Sequence, residues 1–180
     1  MTISLTEKSD RRPAQPRSEV EEKTFDLLES LSIPFFRVDH EEAETIEKCE
    51  EVEKELGAKI CKNLLLTNRQ QTDFYLLLLP GDKIFKTKDL SSQIGSARLS
   101  FASGEQMVSL LSTFPGSLSI LSLAFDPEKK VRLLIDRDLL KEEAWGVHPC
   151  KNTSSLRISR SDLTDRFLPA VGHEPTFVTL

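Results

Sequence analysis

Val20, Thr24, Leu27, Leu28 and Leu31 follow one another at three- and four-residue spacing, and Phe25 widens the stripe. That period predicts an amphipathic helix, and Ser18 with Glu21 three residues later supplies a capping-box start. Pro34 follows the helix end, and PFFRVD then reads as a strand. Between residues 43 and 56, Ile46, Cys49, Val52 and Leu56 stand among acids, a second helix that stops at Gly57. Apolar runs at 63–67 and 74–79 flank the polar NRQQTD, and Pro80-Gly81 closes the second run with a turn. Residues 88–94 read as a short helix, ARLSFA as a strand and 104–111 as a helix. LSILSLAF and VRLLID flank the polar turn 126–130 and read as two strands. SLRIS alternates as a strand, 161–168 is a helix capped by Ser161 with Pro169 beyond it, and TFVTL is a last strand.

Strands and helices interleave, but hairpin-like pairs at 63–79 and 118–135 break a strict βαβ alternation. The expected class is α+β, one domain around a mixed, partly curled sheet with surrounding helices. Residues 1–17, with Pro13, Pro16 and scattered charges, read as a mobile tail, leaving 18–180 as the domain. The 180 residues suffice for one substantial core. No apolar run approaches the ~20 residues that span a bilayer, and no secretory signal opens the chain, so a cytoplasmic protein off the membrane is expected.

Charge adds an asymmetry. The chain carries a net −5, but residues 1–56 hold 16 acids against 8 bases and residues 57–180 hold 13 against 16. The acid concentrates in EEAETIEKCEEVEKELG, a solvated helix face, and the mildly basic remainder permits a nucleic-acid partner without demanding one. Cys49, Cys61 and Cys150 are too scattered for a disulfide framework or a zinc site and read as reduced thiols; neither metal nor cofactor is expected. The hydrolase elbow, phosphate loop, dinucleotide fingerprint and zincin motif do not occur. His40 and His173 lie beside acids and read as surface residues, and Phe101 reads as core in preference to a base-stacking platform. His148 sits in the distinctive string GVHPCKNT.

Four strings, in order, resemble the YbaK/ProX family of aminoacyl-tRNA deacylases, which includes the editing domain of bacterial prolyl-tRNA synthetase. Lys62-Asn63-Leu64-Leu65-Leu66 is similar to the family's K-N-L-F-L, and Arg98 to Ser103 to the segment that follows. Pro115-Gly116-Ser117-Leu118-Ser119 is similar to P-G-S-V-S, and His148-Pro149-x-x-Asn152-Thr153 to H-P-x-x-N-T. The likeness covers about residues 24 to 170. One departure stands out: Ile120 replaces the proline that many members carry after the Gly-Ser loop, which removes a stiffener of that loop.

The resemblance implies water attack on the aminoacyl ester of mischarged tRNA(Pro), alanyl-tRNA(Pro) first, with prolyl-tRNA synthetase a further partner and no role for DNA. Three roles are open to Lys62: general base, a charge that positions ester and ribose, or a plain surface lysine. An ordinary lysine value near ~10.4 makes it a poor base, and the resemblance favours positioning, with the tRNA's terminal 2′-hydroxyl assisting the water. Gly116 is the candidate for holding the carbonyl oxygen through its N–H. Asn63, Ser117, His148 and Asn152 are the candidates for binding substrate. Cysteinyl-tRNA(Pro) or another aminoacyl-tRNA as substrate, a non-catalytic family member that binds tRNA or an amino acid, and an unrelated module of the same fold are the alternatives.

Overall fold

The computed structural model describes residues 2–180. Two sheets form it. Strands β1 (Leu5–Ser9), β2 (Phe36–His40), β7 (Ala144–Val147) and β8 (Ser154–Ser159) make an antiparallel sheet in the order β1-β2-β8-β7. Strands β3 (Cys61–Asn68), β4 (Phe74–Pro80), β5 (Leu99–Phe101), β6 (Val131–Asp136) and β9 (Thr176–Val178) make the other, ordered β5-β3-β4-β6-β9. It is mixed: β3 pairs antiparallel with β4 and β5, whereas β4–β6 and β6–β9 are parallel. The α+β class and the 63–79 hairpin are as expected, with two sheets where the strand pattern suggests one.

Strand β4 reads as an unbroken apolar run because both its faces are covered. Leu76 and Leu78 join the main core with Phe25 and Leu28 of α1 (Glu19–Ser30), while Tyr75, Leu77 and Leu79 join a second cluster that α3 (Thr87–Ile94) covers with Leu90. Helix α2 (Ile46–Leu56) ends at Gly57, which takes the left-handed conformation at φ 77° that its missing Cβ allows. Helix α4 (Gly104–Leu111) carries a full capping box between Ser103 and Gln106.

Three expectations are corrected. LSILSLAF is not a strand: Ile120–Phe125 forms a 3-10 helix, capped reciprocally by Ser119 and Ser122, with both faces buried. A short apolar run buried all round carries no period, so strand and helix look alike in it. The carboxy-terminal helix starts at Ser159, whose Oγ accepts from the Asp162 N–H, not at Ser161; it runs through α5 (Arg160–Asp162), a π-turn (Leu163–Phe167) and α6 (Leu168–Val171), with Pro169 inside it. The amino-terminal segment, expected as a mobile tail, pairs as β1 along β2. Its charges have partners: Arg12 reaches Asp26, Glu22 and Glu29 of α1, and Arg17 reaches Asp39 of β2.

The two sheets share the main core, and their backbones are linked by one bridge. Ile60 and Gly146 form an isolated parallel bridge, and the Gly146 N–H donates to the Lys59 carbonyl at 2.8 Å. A Cβ on Gly146 would lie 3.0 Å from the Ile60 Cα and from a Leu56 methyl. Glycine is required there by close approach of backbone to backbone. Gly146→Ala is therefore expected to cost about 1–3 kcal/mol of stability as overpacking, measured by urea unfolding; an unchanged midpoint would mean the seam relaxes freely.

Candidate active site

A cavity of about 330 Å³ opens at this seam. Strand β3 lines it with Cys61 and Asn63, the end of β5 with Phe101, α4 with Met107, the following turn with Pro115 and Gly116, and the exit of β7 with His148. Five chain segments thus converge on one space, and three of the predicted site residues, Asn63, Gly116 and His148, line it.

Phe114, Pro115, Gly116 and Ser117 form a type II turn: the Ser117 N–H donates to the Phe114 carbonyl at 3.0 Å and Gly116 has φ 86°. Pro-Gly is the sequence that this turn demands. The Gly116 amide makes no hydrogen bond within the protein among the described residues and sits on the cavity wall. A Cβ there would meet only Asn152 Nδ2 at 3.6 Å, so backbone conformation, not space, selects glycine. Behind the turn, buried Ser117 accepts the Asn152 N–H at 3.1 Å, which ties the Gly-Ser loop to the segment after His148. The loop without the usual proline is stiffened another way: Ile120 is wholly buried, and Ser119 and Ser122 exchange hydrogen bonds at its base.

His148 Nδ1 lies 2.8 Å from the Ser154 carbonyl, so it carries the proton and donates. Nε2 is left as an acceptor, with no protein partner among the described residues. Burial holds the imidazole below the ordinary histidine value, and neighbouring His40 adds to the depression against the opposing pull of the Ser154 carbonyl. His40 is itself buried, contrary to its surface reading: its ring bonds the Glu41 carbonyl at 2.6 Å and Ser155 Oγ at 2.9 Å. Its own value is also lowered, by burial first. His173 is likewise buried, against Asp126 Oδ2 at 3.1 Å. An acid next in sequence marked both as exposed, whereas each ring faces inward to a hydrogen-bond partner.

Asn63 donates to the Cys61 carbonyl at 2.9 Å, yet its Oδ1 is buried without a donor, as is Asn152 Oδ1. Each orphan acceptor costs about 1–3 kcal/mol until a donor arrives. The thiols offer no nucleophile. Burial drives Cys61 far above the ordinary thiol value and Cys150 up to about 11, so neither is a thiolate at neutral pH. Lys62 is exposed and does not line the cavity; the strand alternation turns it away from the face that carries Cys61 and Asn63. Phe101, expected in the core, is exposed at the cavity rim. Among the described residues no cluster of three or more His, Cys, Asp or Glu is placed to hold a metal ion, and no helix is long and apolar enough to cross a membrane.

The aminoacyl-tRNA editing domain model matches residues 40–165, and the chain belongs to that family. Among relatives, it is 30% identical over 136 residues to the prolyl-tRNA editing protein ProX of Acetoanaerobium sticklandii, covering 76% of this chain and 83% of that one. It is 27% identical to prolyl-tRNA synthetase associated domain-containing protein 1 of Danio rerio, over 93% of this chain and 89% of the relative. A crystal structure described as a candidate trans-editing enzyme for prolyl tRNA synthetase shares the fold, with a TM-score of 0.65 at 17% identity, over 92% of this chain and 99% of that one.

Because the folded values of His40 and His148 are both depressed, the unfolded chain binds protons more readily. Their contribution to stability is complete above the ordinary value of ~6.5 and is lost as pH falls below it. Imidazole titration by NMR is expected to place the His148 midpoint below ~6.5; a midpoint at or above it would contradict a neutral acceptor in the cavity.

Proposed function

We propose that the cavity binds the aminoacyl end of mischarged tRNA(Pro), alanyl-tRNA(Pro) before others, and hydrolyses its ester in trans. The observation that carries this reading is the pairing of an unengaged amide N–H on Gly116 with a neutral imidazole acceptor on His148 across one small space. Attack of water on the ester carbonyl makes an oxyanion, which the Gly116 N–H stabilises as it forms. The proton released from water passes, by way of the neighbouring 2′-hydroxyl, to the departing 3′-oxygen. The products are a free amino acid and tRNA with an intact terminal ribose. His148 Nε2 and Asn63 Oδ1 accept hydrogen bonds from the α-ammonium group, which brings three donors to a site short of them.

Lys62 precedes Asn63 in the chain and, although its strand face is turned from the cavity, its charge is exposed to solvent. In this role it holds the ribose–phosphate end of the substrate and takes no proton. Selection rests on size. A synthetase pocket shaped for proline discriminates against smaller alanine by only ~1–3 kcal/mol, and a second, smaller site removes the error. The cavity volume lies at the low end of ligand pockets, about 300–1,000 Å³. Such a substrate is met in the cytoplasm, beside prolyl-tRNA synthetase.

Hydrolysis of tRNA(Pro) charged in turn with Ala, Cys, Ser and Pro is the direct test: alanyl ester is expected to be cleaved and prolyl ester spared. No turnover of any of the four would remove the proposal. Lys62→Ala is expected to stay folded and to lose about tenfold or more in kcat/KM, and near-wild-type turnover would remove Lys62 from the site. His148→Ala should slow the alanyl ester by about 3- to 10-fold and speed a bulkier one, since it deletes an acceptor and enlarges the space. Gly116→Ala should instead depress every substrate alike, because the strained φ displaces the N–H from the oxyanion.

A further inference from the structure

The molecule leaves three large apolar side chains uncovered around the mouth of this cavity. Phe101 is 65% exposed, Phe114 63% and Val108 41%. Phe101 lines the cavity rim itself. Val108 and Phe114 line an adjoining groove of about 470 Å³, and Pro115 belongs to the walls of both. The apolar surface is therefore continuous from the groove into the site. Isolated exposed apolar residues are ordinary; a group of them at the entrance to a polar site calls for a ligand.

The occupant follows from covalent connectivity, and this inference rests on the deacylase reading. When the aminoacyl ester lies in the cavity, the terminal ribose stands at its mouth, and the bases attached to that ribose and the next must lie against whatever rims it. Single-stranded nucleotides are held by stacking on aromatic faces, with the phosphates left to cations. Lys62 and Lys151, both exposed, each adjoin in the chain a residue at or behind the cavity wall, Asn63 and Asn152. Glu105 also lines the groove, and its carboxylate disfavours phosphate there while leaving the groove open to bases. We propose that Phe101 and Phe114 form a stacking platform for the unpaired 3′-terminal bases of the tRNA substrate, with Val108 and Pro115 filling the groove between them.

The test uses the full chain and a short single-stranded RNA ending in CCA with 2-aminopurine in place of the last adenine. Stacking on the platform is expected to quench the 2-aminopurine emission on binding. Phe114→Ala and Phe101→Ala should each weaken binding by about 5- to 100-fold. Phe114→Tyr should keep the quench and Phe114→Leu should lose it, which separates stacking from mere apolar contact. Because both side chains are exposed, the variants are expected to melt with the parent, and the Tyr and Leu forms decide the matter if an Ala form does not. In parallel, kcat/KM on aminoacyl-tRNA should fall at least tenfold more in these variants than kcat/KM on an alanyl ester without a nucleobase. Equal affinity across the series, or binding without quenching, overturns the platform. A parent dimer that Phe114→Ala disperses overturns it in favour of a second copy of the chain. Turnover with unaffected phenylalanine variants removes the platform alone; quenched binding without turnover of any ester removes the deacylase reading and leaves the platform standing.

Discussion

Everything around the cavity depends on how closely two sheets approach at Gly146. With no Cβ there, the backbone of β7 comes within hydrogen-bonding distance of the chain that leads into β3, and Ile60 pairs with it. The two residues that follow on either side inherit that proximity. Asn63 lies three positions past Ile60 and His148 two past Gly146, so a residue of one sheet and a residue of the other face the same space. Neither sheet alone could make the site. The type II turn at Gly116 then closes the cavity from a third direction, held to the His148 segment through Ser117 and Asn152.

The imidazole at this seam is held in one protonation state by its surroundings. Donation from Nδ1 to the Ser154 carbonyl fixes the tautomer, and burial disfavours the charged ring. His40, whose ring centre lies 6.5 Å from that of His148, is tied to it through Ser155 and penalises a second positive charge. A neutral acceptor, an amide donor and an unpartnered amide oxygen form a polar set within apolar walls, the composition typical of a site that orients a small polar group.

Most of the elements are legible in the chain because they carry their own period or punctuation. The stripe of α1, the Gly57 stop and the Pro-Gly turn each have a local physical cause that a neighbourhood of a few residues records. What is not legible is what depends on distant partners. The buried 118–125 segment shows no period, since every face of it touches core. Arg12 and Arg17 look like charges of a loose tail until the acids of α1 and β2 stand opposite them. Strand β7 is too short, and its Trp145 too isolated, to announce a strand, although that indole is buried and donates to the Leu139 carbonyl at 2.9 Å. Of the site, Asn63, Gly116 and His148 are reached through resemblance, and spacing alone singles out only His148. Ser155 and His40 behind it carry no signal, because a serine on an alternating strand and a histidine beside acids are ordinary surface patterns.

Ser154 has two neighbours at once. Its carbonyl accepts the hydrogen bond from His148 Nδ1–H, and its hydroxyl donates to Asp39 at 2.9 Å. Asp39 in turn receives Arg17 and the buried Arg37, and Arg37 reaches back to the Arg11 carbonyl and to Glu7 on β1. Glu7, Arg11 and Arg17 of the amino-terminal segment are thus wired, bond by bond, to the orientation of the His148 imidazole. For anyone who shortens this protein, tethers it or displays it on a surface, the amino terminus is not an inert handle.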